Sequence, residues 1–151
     1  MSAFFAFLHH IAAFTLVAAL AVEFVLIRGE LTLESARRIR VADLVFGVAA
    51  GVVLIVGLLR VFYFEKGSAY YFHSVPFLAK LSLFVIVGLV SIYPTVVFLS
   101  WAKPMKRGAI PQVPPATLRA LRRVIHWELA GVVLLILCAA LMARGVWQLG
   151  A

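Results

Sequence analysis

The chain has 151 residues, of which 65% are hydrophobic and 13% charged, and its mean hydropathy is +1.10. A soluble domain carries about 45–50% apolar and about 25% charged residues, so a water-soluble globular fold is not expected; the length suits four membrane-spanning helices of ~20 apolar residues each. The net charge of +8 would suggest nucleic acid in a soluble protein, but here the basic residues sit in short connections, where they orient a membrane chain, and no nucleic-acid partner is expected.

The first apolar run, residues 3–27, lacks a basic flank on its N-terminal side and exceeds the ~7–15 residues of a signal-peptide core, so it reads as a retained first helix. Thr32 is placed to N-cap a helix that begins in the first connection and runs into span two, residues 41–64. Ser74 precedes Val75 and Pro76, which open span three, residues 75–101; proline is tolerated in a first helical turn. Residues 103–115 hold Pro104, Gly108, Pro111, Pro114 and Pro115 and read as a loop. Thr117 is the expected cap of span four, residues 118–143. The single cysteine, Cys138, excludes an internal disulfide. The expected architecture is an all-α, integral membrane four-helix bundle in one domain, residues 1–151.

Loop charge predicts orientation. The first connection carries Arg28, Arg37, Arg38 and Arg40, and the third carries Lys103, Lys106, Arg107, Arg119, Arg122 and Arg123. The opposite side has Lys66, Arg60 at a helix end and Arg144. Basic connections stay cytoplasmic, so both termini are expected outside, in a multi-pass protein of the bacterial inner membrane.

An ionisable side chain at a helix centre costs ~2.5–3.5 kcal/mol on insertion scales and marks a buried, paired or functional position. The expected topology sorts such residues into two layers. The outer one holds His9, His10, Arg60 and Lys80, with His73 and Glu65 in the adjoining loop; the inner one holds Glu23, Asp43, His126 and Glu128. Glu23 and Glu128 read as partners of the inner arginines, and His126 as an interfacial anchor. Tyr63, Tyr70, Tyr71, Trp101, Trp127 and Trp147 read as aromatic belts.

At ~100° per residue, His9 shares a face with Ala12, Ala13, Leu16, Leu20 and Glu23, whereas His10 shares one with Phe14, Val17 and Phe24. Lys80 aligns with Val87, Ser91 and Pro94, the most polar stripe of span three, which is expected to face the bundle interior. Gly47 and Gly51 form a GxxxG pattern, read as close contact with a neighbouring helix inside the bundle, with a homodimer seam as the alternative.

Neutral imidazole is a common axial ligand. His9, His10 and His73 are therefore candidate metal or haem ligands, the last if the outer loop folds over the bundle mouth. Arg60 and Lys80 lie at a similar depth and are candidate partners of haem propionates or of a quinone carbonyl.

Four segments carry a family resemblance: Phe7-Leu-His-His-Ile-Ala-Ala-Phe14, Gly57-Leu-Leu-Arg-Val-Phe-Tyr-Phe-Glu-Lys-Gly67, Ala79-Lys-Leu-Ser-Leu83 and Ser91-Ile-Tyr-Pro-Thr95. Over nearly its whole length the chain resembles a family of small bacterial inner-membrane proteins classed as a domain of unknown function. The layout is more distantly similar to two groups of four-helix membrane proteins. One is the HemJ-type protoporphyrinogen oxidases, which are haem-associated and pass electrons to quinone. The other is the CopD-type copper-resistance membrane domains. The HemJ-type pattern falls here on His9 or His10, on Arg37 and Arg38, and on Lys80-Leu81. The CopD comparison implies copper, for which three methionines and one cysteine are a poor soft-ligand set.

The expected function is a small membrane haem b protein, an oxidoreductase that exchanges electrons with quinone, with lipid and a second copy of the chain as further partners. The alternative is a cofactor-free small transporter or an assembly subunit of a larger membrane complex.

Overall fold

The structure is a computed structural model that describes residues 2–64, 73 and 75–144. Glu65, Lys66, Tyr70, Tyr71, Ser74 and Trp147 lie outside the described residues. Five helices follow one another in the chain: α1 (Ser2–Leu26), α2 (Leu33–Leu59), α3 (Val75–Ser100), the short α4 (Ala102–Lys106) and α5 (Pro115–Ala143). Helix α2 runs on into a π-helical turn, Arg60–Phe64. Four helical segments are long and apolar enough to cross a membrane.

The helix starts show which residues stop the chain from fraying. Thr32 caps α2 as expected: its side chain accepts from the Ser35 backbone N–H at 3.0 Å, and the Ser35 hydroxyl accepts from the Thr32 N–H at 2.8 Å. This reciprocal box satisfies two otherwise orphaned donors. Thr117 does not cap α5. That helix begins two residues earlier, at Pro115, with Pro114 in extended geometry ahead of it. Proline suits a first helical position because its missing N–H is not needed there, so the two prolines open the helix rather than precede it. The connection between α3 and α5 is also less irregular than its prolines suggest, since α4 occupies part of it. Gly108, at φ 72°, ends that turn.

The long helices pack in pairs, α1 with α2 and α3 with α5, and the pairs meet through α1 against α5 and α2 against α3. The core between them includes Leu20, Ile39, Phe98, Leu121 and Ile125, all essentially inaccessible. Trp101 is 3% exposed and stacks edge-on against Phe98 at 4.9 Å. It is a core residue rather than part of a membrane-interface belt, whereas Tyr63 and Trp127 are exposed. Large apolar side chains such as Phe14, Leu44, Leu89 and Val133 point outward from all four long helices, as lipid-facing positions do.

Glycines report the close approaches. A Cβ on Gly131 would lie 2.6 Å from Val87 Cγ2, so α3 and α5 touch there. A Cβ on Gly47 or Gly51 would meet nothing within 4 Å. The expectation that this pair packs against a neighbour inside the bundle is therefore corrected: their face of α2 is open.

Candidate functional site

One end of the bundle contains a cavity of about 110 Å³ between α1, α2 with its π-turn, α3 and the end of α5. Three polar side chains line it: His9 from α1, Arg60 from the start of the π-turn and Lys80 from α3. Helical phase accounts for their presence. On the His9 face, Ala12, Leu16, Leu20 and Glu23 are buried, and on the Lys80 stripe so are Val87 and Pro94. Arg60 depends on the π-turn instead. A wider helical turn rotates the residues that follow it relative to the α-helix before them, and this turn begins at Arg60.

His9 Nδ1 is buried and has no hydrogen-bond partner among the described residues. The ring lies against Gly57, where a Cβ would come within 3.2 Å of its Cε1, and Lys80, Arg60 and His10 are its charged or titratable neighbours. Phe77, Phe84 and Met142 are among the apolar walls.

The other candidate ligands lie elsewhere. His10 is exposed, its ring is nearly perpendicular to that of His9 with centroids 6.2 Å apart, and its Nδ1 is 2.6 Å from the Ala6 carbonyl one turn back. His73 is an exposed turn residue and does not line the cavity. The structure thus brings His9, Arg60 and Lys80 together and leaves His10 and His73 outside. Among the described residues no three His, Cys, Asp or Glu side chains are grouped to hold a metal ion.

Haem fits this site in chemistry but not in space. His9 and Met142 are both axial-ligand types, and Arg60 and Lys80 suit carboxylates. A cavity of about 150 Å³, however, takes a single benzene ring, and this one is smaller. A porphyrin would require the Phe77 and Phe84 wall of α3 to move away. One six-membered ring is the scale that the space accepts with modest adjustment.

The inner polar layer is buried. Glu23 and Glu128 are each 2% exposed and Asp43 is 9% exposed. Thr95 donates to Asp43 Oδ1 at 2.7 Å. The acids do not take up the inner arginines as expected. Arg122 donates instead to the carbonyls of Ile27, at 2.9 Å, and Arg28, tying the end of α1 to α5. Arg28 lies over the Phe24 ring at 3.9 Å, and Phe24 stacks on His126. His126 and Trp127 are exposed, in keeping with an interfacial anchor.

Sequence reasoning missed Gly57 and Met142 as parts of the cavity, and Thr95 as the partner of Asp43. Gly57 opens the segment that carries Arg60, which was its only signal. Nothing local in the sequence marks Met142.

No curated protein and no solved structure matches the chain. Residues 1–147 match one family model, and the chain belongs to that family, described as predicted membrane protein DUF2214.

Proposed function

We propose that this membrane protein binds the headgroup of a membrane-dissolved quinone in the His9–Arg60–Lys80 cavity and so serves electron transfer within the bilayer. The observation that carries the reading is a ring-sized, apolar-walled space with three hydrogen-bond donors converging on it. A quinone carbonyl is an acceptor that His9, Arg60 and Lys80 each suit, and the apolar tail of such a molecule belongs in the lipid around the bundle. Ligand sites of this kind combine mostly apolar walls with a few placed polar groups. In this reading the protein holds and polarises the ring, and the electrons come from a partner in the same membrane.

The test is extraction. Protein purified in mild detergent is extracted with organic solvent and its quinone content measured, and the quinone-free protein is titrated with a short-tailed quinone. Near-stoichiometric quinone and saturable binding are expected, both lost in His9→Ala. Protein that carries no quinone and binds none overturns the proposal. A Soret band with a positive pyridine haemochrome assay would replace it with the haem reading.

A further inference from the structure

Far from the cavity, about 20 Å along α1 from His9, every long helix contributes one polar side chain to a single buried cluster. Helix α1 supplies Glu23, α2 Asp43, α3 Thr95 and α5 Glu128. Glu23 has both Asp43 and Glu128 as electrostatic neighbours, and Glu128 has Asp43. Glu23 and Glu128 are 98% buried, taking the complement of their 2% exposure, and Oε1 of each has no hydrogen-bond partner among the described residues. These two orphaned oxygens are what distinguish the cluster from a set of acids that satisfy one another.

The surroundings narrow the ligand. From α2, Arg40 is the charged neighbour of Asp43; from α3, the uncharged Thr95 hydroxyl donates to it. From α5, Arg122 is engaged with backbone carbonyls, and His126 lies against Phe24. A multidentate metal does not fit, because no three such ligands converge among the described residues. A buried carboxylate without a cation or donors is strongly disfavoured. A proton needs no cavity, and as a carboxyl O–H it offers the donor that an orphaned oxygen lacks.

We propose that Glu23, Asp43 and Glu128 form an intramembrane proton-exchange site. A proton taken up by one carboxylate becomes an O–H that donates to a neighbouring carboxyl oxygen, and its release returns it to water. Exchange takes place toward the end of the bundle that carries Arg28, Arg37, Arg38 and Arg122, since Glu23 lies one turn from the end of α1. No electron moves and no covalent bond other than O–H forms or breaks. This site is independent of the quinone reading and stands if that reading fails.

Dicyclohexylcarbodiimide tests it. This apolar reagent enters bilayers and requires the carboxylic acid form of its target. The intact protein in liposomes is treated across a pH series, with and without Na⁺, and modified residues are located by peptide mass spectrometry. Labelling at Glu23 or Glu128 is expected, falling several-fold toward alkaline pH and unaffected by Na⁺. Glu23→Gln and Glu128→Gln should each remove their own adduct, and the wild-type result stands even if those variants do not fold. No labelling at any of the three carboxyls overturns the proposal. So does labelling that ignores pH, which would mean a static proton, and so does protection by Na⁺ at constant pH, which would mean a cation site.

Discussion

His9 occupies the space that Gly57 leaves. A Cβ on Gly57 would lie 3.2 Å from His9 Cε1 and 3.6 Å from Nδ1, so the imidazole is lodged where α2 has no side chain. Arg60 follows Gly57 by three residues and opens the π-turn. The glycine, the histidine and the arginine are thus one local arrangement, and the first two set how closely α1 and α2 approach at the cavity.

The first prediction is that Gly57→Ala separates stability from binding. Alanine gains about 1 kcal/mol in helix propensity over glycine, while overpacking against the ring costs about 1–3 kcal/mol. The two nearly offset, so thermal unfolding should change little. The displaced imidazole should weaken short-tailed quinone about tenfold, a difference of about 1.4 kcal/mol. Unchanged affinity would mean that the ring position does not matter to the site.

Gly131 and the Gly47–Gly51 pair should respond oppositely to added volume. Gly131→Ala places a methyl 2.6 Å from Val87 Cγ2, and valine is stiff about χ1. A loss of about 1–3 kcal/mol is expected, partly restored by Val87→Ala in the same chain, which a double-mutant cycle would read as coupling. Gly47→Leu with Gly51→Leu projects into open space and should leave unfolding of the protomer within about 0.5 kcal/mol. If two copies pack on that face, the same change should shift the species in mild detergent from dimer to monomer.

What was legible in the sequence followed from periodicity and from end signals. Four apolar runs became four helices, and Thr32 capped α2. Phase separated buried His9 from exposed His10 because a residue's direction on a regular helix follows from spacing alone. The errors came where packing decides. Gly47 and Gly51 look like a contact motif, yet which face of α2 meets a neighbour depends on where α1 and α3 lie. Trp101 resembles a belt residue by position but is covered by the turn into α4. Met142 reaches the cavity only because α5 ends beside α3, and Thr95 meets Asp43 across 52 positions of sequence, which no local pattern encodes.

Thr95→Val should expose how much that long-range bond contributes. It leaves Asp43 Oδ1 buried without the hydroxyl, and an orphaned buried acceptor costs about 1–3 kcal/mol, more if charged. Thr95→Ser, which keeps the hydroxyl, should retain most of the stability. A valine variant as stable as wild type would mean that Asp43 finds another donor.

Orientation follows from charge. With four spans, the connections of residues 27–32 and 101–114 share one side of the membrane and residues 65–74 lie on the other. The basic connections are expected to be cytoplasmic. Reporter fusions after Arg107 should be active only for a cytoplasmic reporter, and fusions after Tyr63 only for an external one. The reverse pattern would invert the chain and place the His9 cavity at the cytoplasmic end.

The last prediction concerns the two adjacent histidines. His9 lines the cavity, whereas His10 is exposed and its Nδ1 faces the Ala6 carbonyl on its own helix. His9→Ala removes a donor and enlarges the cavity, so short-tailed quinone should lose at least tenfold in affinity, about 1.4 kcal/mol. His10→Ala should bind within twofold of wild type. Lys80→Met keeps a similar length of apolar stem but removes the ammonium, which isolates the charge; hydrogen bonds to charged groups contribute about 1.5–3 kcal/mol, so a loss of ten- to a hundredfold is expected. The same three variants separate quinone from a generic apolar ligand, which would tolerate Lys80→Met and bind a larger cavity at least as well. Equal losses from His9→Ala and His10→Ala would remove the basis for assigning the site to the inward-facing ring, since only helical phase and the Gly57 notch distinguish the two.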